Sequence, residues 1–151
     1  MMFKNLLATA VLASSLSFVG CNSLPGQAQQ QQNIELLQGN TWTLSQIGAT
    51  EVKPAAEGSR VATLQFDAAN KRVSGTDGCN RLMGGYEIKE KQLQFSALAS
   101  TKMMCMDNMQ QANDFNQALA KVTGYQAYGS TLKLLDQHGN VLLTFKTQIA
   151  R

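Results

Sequence analysis

Histidine is almost absent from this chain, which carries one histidine, His138, and two prolines among its 151 residues. A single histidine is too few for a His-rich metal site, and a hydrolytic triad is hard to build around it. His138 lies in segment 136–140, which is rich in Asp, Gly and Asn, so we expect a solvated turn side chain. No Cys-x-x-Cys pair occurs among the three cysteines, which argues against a thiol redox enzyme.

The chain also lacks a strong net charge and a long hydrophobic run. Its formal charge of +3 at pH 7 is too small to suggest a nucleic-acid partner. No stretch approaches the ~20 apolar residues of a membrane-spanning helix. With 44% hydrophobic residues, the chain can form one modest globular domain and is too short for two. These features favour a small binding or structural module.

Residues 1–20 have the pattern of a secretory signal peptide. Lys4 supplies the basic start, an apolar stretch runs from Leu6 to Val19, and small residues follow it. A membrane anchor helix is the alternative, but the stretch is short and serines interrupt it. We therefore expect export of the chain and removal of this segment.

The end of this segment, Phe18-Val19-Gly20-Cys21, resembles the lipobox of bacterial lipoproteins. The resemblance implies that Cys21 becomes lipidated and N-terminal. Asn22, where some lipoproteins have Asp, implies transfer to the outer membrane, with the domain facing the periplasm. Cleavage after Ala28 is the alternative and would leave a soluble periplasmic protein.

A glutamine-rich segment follows the predicted lipidation site. Glutamines dominate residues 27–32, and no periodic apolar residues accompany them. This composition predicts a flexible polar tether over residues 21–33. The globular domain is then expected over residues 34–151.

Short alternating segments predict an antiparallel sheet in this domain. Apolar residues alternate with polar ones over 42–47 and 62–66, as in half-buried strands. Further strands are predicted over 71–74, 86–88, 92–95, 125–128, 131–135 and 141–146, with turn residues separating them.

One helix is predicted over residues 107–122, where apolar residues recur every three or four positions. Asp107 or Asn108 would cap its start, and Gly124 would end it. The fold class is therefore α+β, with a strongly curved, barrel-like antiparallel sheet packed against one amphipathic helix. The predicted core consists of Trp42, Leu64, Phe66, Phe95, Phe115, Leu119 and Phe145.

Two segments carry a family resemblance. They are Gly75–Tyr86, which contains Gly78-Cys79-Asn80-Arg81, and Leu98–Cys105. Together with Gly39-Asn40-Thr41-Trp42 they resemble the META domain of HslJ-like proteins, over roughly residues 37–146. The resemblance implies a barrel-like sheet with a helix, no established catalysis, and an association with heat stress and novobiocin resistance. The resemblance also implies a structural or partner-binding role for the motif residues Gly78, Asn80, Arg81, Gly85, Tyr86, Thr101, Lys102 and Met103.

Cys79 and Cys105 are the two thiols that remain if Cys21 is lipidated. An even pair in an oxidising periplasm is most simply a disulfide. Their separation of 26 residues predicts about 3 to 4 kcal/mol of stabilisation on the chain-entropy model. The predicted bond would join the two family-like segments.

Methionines cluster near Cys105 at positions 103, 104, 106 and 109, with Met83 near Cys79 in sequence. Flexible thioethers commonly fill irregular gaps in a core, and we expect that role here. A Cu(I) site is the minor alternative, because thioethers select soft metals. The aspartates all occupy turn, cap or helix-surface positions, so carboxylate catalysis is not expected.

These patterns predict a noncatalytic envelope lipoprotein without metal or cofactor. It would be held at the outer membrane by its lipid, and the resemblance to HslJ-like proteins implies that it supports stress tolerance through binding of an unknown envelope protein. The alternative is a pilot-like lipoprotein whose curved sheet encloses a lipid or an apolar peptide. The apolar residues of a cleft would equally fill a core, so both hypotheses stay open.

Overall fold

Nine strands and two helices make up residues 25–53, 60–105 and 108–147, the part of the chain that the computed structural model describes. The predicted signal peptide, the predicted lipidation site Cys21, Met106 and Asp107 lie outside these residues. The elements, in chain order, are α1 (Pro25–Gln38), β1 (Thr41–Ile47), β2 (Thr50–Glu51), β3 (Thr63–Asp67), β4 (Arg72–Thr76), β5 (Arg81–Lys89), β6 (Gln92–Ser100), α2 (Met109–Leu119), β7 (Gly124–Tyr128), β8 (Thr131–Leu135) and β9 (Val141–Lys146).

The sheet closes on itself, because β1 pairs with β3 on one side and with β9 on the other. All strand pairs are antiparallel, and β2 is a short addition to β1. The predicted α+β fold with a strongly curved, barrel-like sheet is therefore confirmed. The ring is weakest between β6 and β7, where the register holds a single pair, Gln92 with Gly124.

The barrel interior is the hydrophobic core. Alternate residues of each strand point inward, as in β1, where Trp42 and Leu44 are buried and their neighbours are not. Six of the seven predicted core residues are buried, and the prediction was wrong in part for Phe95, which is half-buried. Phe95 lies on β6 beside the weak joint, so no continuous neighbouring strand covers it.

Helix α2 packs on β9 and β1, and Phe115 meets Phe145 edge-on at 6.3 Å between ring centroids. The predicted position of its start is confirmed, but the predicted capping contact and the predicted end were wrong. Asn108 occupies the N-cap position, but its side-chain amide donates to the Arg60 carbonyl oxygen instead of capping the helix. Gly124 begins β7 and does not end α2, whose C-cap is Ala120.

Helix α1 replaces most of the predicted flexible tether. It begins at Pro25, and its last turn enters the core through Leu37, which is fully buried. The Trp42 indole Nε1 donates to the Leu37 carbonyl oxygen at 2.9 Å, and the Gln38 amide donates to the Tyr86 hydroxyl at 2.8 Å. Glutamine is a good helix former. The segment has no apolar periodicity of its own, so its helix is stabilised by packing against the barrel.

The two helices close opposite ends of the barrel. Helix α1 contacts β3 and β7, which lie across the ring from each other. Helix α2 reaches the turn after β4, where the Asn116 amide donates to Asp77 at 2.8 Å. None of the helices in the described residues is long and apolar enough to cross a membrane.

Candidate functional site

The turn between β4 and β5, residues 77–80, is organised by the carboxylate of Asp77. Its Oδ1 accepts hydrogen bonds from the backbone amides of Cys79, at 2.8 Å, and Asn80, at 2.5 Å. Its Oδ2 accepts from the side-chain amides of Asn80, at 3.2 Å, and Asn116, at 2.8 Å. Gly78 has a φ of +96°, and a Cβ there would lie 2.9 Å from the Arg60 carbonyl oxygen, so this position requires glycine.

Asp77 is fully buried without a cationic partner among the described residues. Burial alone raises the pKa of its carboxyl group, because the charged form loses its hydration. The hydrogen bonds from Asn80, Asn116 and Cys79 outweigh this effect and hold the pKa below its ordinary value. Asp77 is therefore a structural anion that ties the turn to α2.

A disulfide joins Cys79 and Cys105, with a Cα–Cα distance of 5.8 Å. The predicted pairing is thus present in the structure. Cys79 is buried and its Sγ lies 3.5 Å from the Met103 carbonyl oxygen, whereas Cys105 is partly exposed. The bond fastens the turn of residues 77–80 to the segment that leads into α2.

Hydrogen bonds bring the two family-like segments together next to the disulfide. The backbone amide of Arg81 donates to Thr101 Oγ1 at 3.0 Å, and the Thr101 amide donates to the Arg81 carbonyl oxygen at 3.1 Å. The Met103 amide donates to Asn80 Oδ1 at 2.7 Å. Asn80 and Thr101 therefore hold backbone in place.

The pair Gly85 and Tyr86 also has a structural role. A Cβ at Gly85 would lie 2.5 Å from Ser96 Oγ on the neighbouring strand. The Tyr86 hydroxyl donates to the Asp67 carbonyl oxygen at 3.1 Å and accepts from α1, and burial raises the pKa of this phenol. Five of the eight motif residues thus stabilise the fold, and the side chains of Arg81, Lys102 and Met103 remain exposed.

The described methionines do not fill the core, which corrects the prediction for Met103, Met104 and Met109; Met106 lies outside the described residues. Met104 is 87% exposed, and Met83, Met103 and Met109 are about half exposed. We did not predict from the sequence that Met83 and Met104 lie on the surface. For Met83 the signal was available, because strand alternation places it on the face opposite the buried Leu82.

These methionines lie with exposed cations at the barrel end that α2 closes. Arg81 and Met83 point to the same outer face of β5, and Met83 pairs with Ala99, just before the segment of Lys102 and Met103. Arg60 reaches the same end, because its carbonyl oxygen contacts the turn at Gly78. We call this surface the methionine face; it consists of Met83, Met103, Met104, Met109, Arg60, Arg81 and Lys102.

Among the residues that the structure describes, the remaining titratable side chains form no constellation typical of catalysis. Hydrogen bonds from Asn70 lower the pKa of Asp67, and hydrogen bonds from Asn140 lower that of Asp136, so both carboxylates organise turns. His138 is exposed in the second of these turns. Within the described ranges, no three His, Cys, Asp or Glu residues are grouped as metal ligands.

Two adjoining clefts lie on the outer surface over β5 and β6. Their volumes are about 400 and 450 Å³, and they share Lys71, Gly85 and Ser96. A register shift between Met83 and Gly85 lies beneath them, and Ala97 in the bulge has a φ of +38°. These clefts are open and separate from the apolar interior of the barrel.

The chain matches a known protein family and resembles several solved structures. The META domain family matches residues 35–149. The chain is 26% identical to a protein from Burkholderia xenovorans solved by NMR, with a TM-score of 0.61 over 99% of this chain and 100% of the other. A second NMR structure has 24% identity and a TM-score of 0.56, covering 75% of this chain and 92% of the other.

A DUF4847 family protein from Bacteroides vulgatus has the same fold. Its crystal structure is 15% identical to this chain, with a TM-score of 0.56 over 78% of this chain and 98% of the other. No curated protein matches the sequence. The likeness to this structure concerns the fold alone.

Proposed function

Because the chain belongs to the META domain family, we propose that it acts as a noncatalytic, HslJ-like lipoprotein of the outer membrane. In this proposal Cys21 carries the lipid, the domain faces the periplasm, and its role is tolerance of envelope or heat stress. Tolerance would include resistance to an antibiotic such as novobiocin. The domain would act by binding another envelope protein.

The observation that carries the binding role is the exposure of the methionine face. Methionine is among the residue types most often buried, yet the four described methionines are all exposed at one end of the barrel. Flexible thioethers are common at adaptable binding surfaces, and exposed apolar patches mark interaction sites. The hydrogen bonds of Asn80 and Thr101 then hold the backbone of this surface in place.

The position of α1 supports attachment at the opposite end. Three residues, 22–24, separate Cys21 from the start of α1 at Pro25. Helix α1 closes the barrel end far from the disulfide. An anchored domain would therefore stand close to the membrane with its methionine face directed into the periplasm.

Metabolic labelling with a palmitate analogue tests the anchor. Wild type should incorporate the label, and Cys21→Ala should lose it and leave the membrane fraction. An Asn22→Asp variant should keep the label but move to the inner membrane, which separates lipidation from sorting. An unlabelled wild type whose mature chain begins at Gln29 would contradict the proposal and support a soluble periplasmic protein.

Complementation tests the stress role in the native organism. A strain lacking the gene should become more sensitive to heat or novobiocin, and wild-type protein should restore growth. The double variant Arg81→Gln/Lys102→Gln should accumulate normally and fail to restore it. Full complementation by this variant would argue against the methionine face as the working surface.

A second candidate is the binding of a lipid or an apolar peptide. The weak joint between β6 and β7 favours it, because Phe95 and Leu98 are partly exposed beside that joint. Acyl chains in native mass spectra of the purified protein would support this candidate. Purified protein without bound acyl chains, together with a failed complementation by the double variant, would favour protein binding.

A further inference from the structure

We propose that the methionine face binds an extended acidic polypeptide segment that also carries apolar side chains. This inference rests on the proposed function, since it specifies the chemistry of the protein partner. The argument uses the charges, the exposed thioethers and the rigidity of this end of the barrel.

The described charged side chains of the methionine face, Arg60, Arg81 and Lys102, are all cationic. Residues 76–86 and 96–105 contain one acidic residue, Asp77, which is buried and fully hydrogen-bonded. The same segments present Arg81 and Lys102 at the surface. Within the described ranges, the single ion pair is Lys89 with Glu87, so neither cation is neutralised by a described partner. Electrostatic complementarity therefore favours an acidic partner.

The thioethers add an apolar component to this cationic surface. Met104 is 87% exposed and lies directly after Met103, which is 53% exposed, so both can contact a partner without rearrangement of the core. The neighbouring Arg81 and Lys102 disfavour a bound cation, which argues against Cu(I) at these thioethers. A chain with alternating acidic and apolar side chains would satisfy both components.

The placement of α1 favours a polypeptide over a bilayer. A lipid on Cys21 would hold the α1 end of the domain at the membrane, four positions before Pro25. The methionine face lies at the other end of the barrel, which α2 closes. It would then face proteins of the periplasm and not the surface to which the domain is anchored.

The backbone beneath the face is already fixed. The disulfide, the two Arg81–Thr101 hydrogen bonds and the Asn80–Met103 hydrogen bond hold the segments that carry the exposed side chains. Binding would therefore order side chains and little backbone, which lowers the entropic cost of association.

The test uses the mature chain from residue 21 with Cys21→Ser, so that no lipid is present, and ¹³C-labelled methionine methyl groups. The probe is a short synthetic peptide of alternating Glu and Leu, with Lys-Leu and Glu-Ser peptides of equal length as comparisons. The Glu-Leu peptide should shift the methyl signals of Met83, Met103 and Met104 in a saturable manner. The Lys-Leu peptide should not shift them, and the Glu-Ser peptide should bind more weakly.

Paired variants show whether the cations of the face are responsible. Arg81→Gln/Lys102→Gln should raise the dissociation constant of the Glu-Leu peptide about tenfold, because two exposed ion pairs together contribute on the order of 1.4 kcal/mol. Lys91→Gln/Lys121→Gln removes two exposed cations elsewhere and should leave it unchanged. Equal loss in both double variants would overturn the proposal, since binding would follow net charge alone.

Lipid vesicles test whether the methionine face binds a membrane surface instead of a polypeptide. Phosphatidylglycerol vesicles that broaden the same methyl signals, combined with no response to the Glu-Leu peptide, would overturn the proposal in favour of a lipid surface. Failure of the peptide to bind would also overturn it. Palmitate labelling of Cys21 is independent of these results, so the acidic partner can be refuted while the lipoprotein assignment stands.

Discussion

Replacing Asp77 with asparagine should destabilise the domain by about 2 to 4 kcal/mol. The substitution keeps the size of the side chain but turns one carboxylate oxygen into a donor. That donor would face two other donors, the side-chain amide groups of Asn80 and Asn116. Asn80 cannot turn its Oδ1 toward it, because that oxygen already accepts a hydrogen bond from the Met103 backbone amide. Each hydrogen bond to a charged group contributes roughly 1.5 to 3 kcal/mol, and reorientation of Asn116 can recover one of the two that are lost.

The effect should depend on pH in a defined direction. The pKa of Asp77 is lower in the folded protein than in the unfolded chain, so the folded state favours the ionised form. The resulting stabilisation is present above the unfolded pKa, near 4, and is lost as the pH falls through the folded value. The difference between wild type and Asp77→Asn should therefore be constant near neutral pH and shrink below about pH 4.

Urea unfolding monitored by circular dichroism at several pH values measures both quantities. Asp114→Asn is the matched control, because Asp114 lies on the surface of α2 and accepts one hydrogen bond, from Gln110. The control should change stability by no more than about 0.5 kcal/mol. A loss below about 0.5 kcal/mol for Asp77→Asn, or a loss that does not vary down to pH 3, would refute the role of the buried carboxylate.

Two further predictions concern the disulfide and the core. Cys79→Ser and Cys105→Ser should each lower the free energy of unfolding by about 3.5 kcal/mol, because the bond closes a loop of 26 residues. The double variant should lose no more stability than either single variant. Additive losses in thermal unfolding would contradict a shared bond. Phe115→Ala should lower the free energy of unfolding by about 3 to 5 kcal/mol. Phe95→Ala should lower it clearly less, because Phe95 is half-buried. Equal losses in urea unfolding would mean that the joint between β6 and β7 is closed in solution.

The strands were predictable because alternation leaves a local signal. Every strand longer than two residues overlaps a predicted one, and the boundaries of β8 and β9 agree exactly with the structure. The first half of β5 was missed, since Gly84 and Gly85 are residues typical of turns. Glycine fits there because the side chains of Leu98 and Ser96 on β6 approach the backbone closely, a contact that exists only after the strands pair.

Helix α1 could not be predicted from its residues. Its glutamines carry no apolar periodicity, and a polar segment of this kind is marginal as an isolated helix. It becomes helical in contact with the barrel, through burial of Leu37 and the hydrogen bond from Trp42. The stabilising partners lie on other elements, so the local sequence contains little information about them.

Some features of the candidate site were likewise predictable from the sequence, and others were not. Cys79 and Cys105 were predictable as a pair, because the number of thiols and the expected oxidising compartment leave few alternatives. The ordered motifs also indicated the family, and the alternation of apolar and polar residues indicated the antiparallel fold. These properties depend on local pattern and on counting, which a linear chain displays directly.

Tertiary structure alone decided which motif residues are structural and which are available to a partner. Asn80 and Thr101 bond to backbone across the barrel end, whereas Arg81, Lys102 and Met103 project into solvent. Neighbouring residues in one short segment thus have opposite roles. The reason is physical: exposure and hydrogen bonding depend on which distant segments meet, and that is determined only when the strands close the barrel and α2 packs against its end.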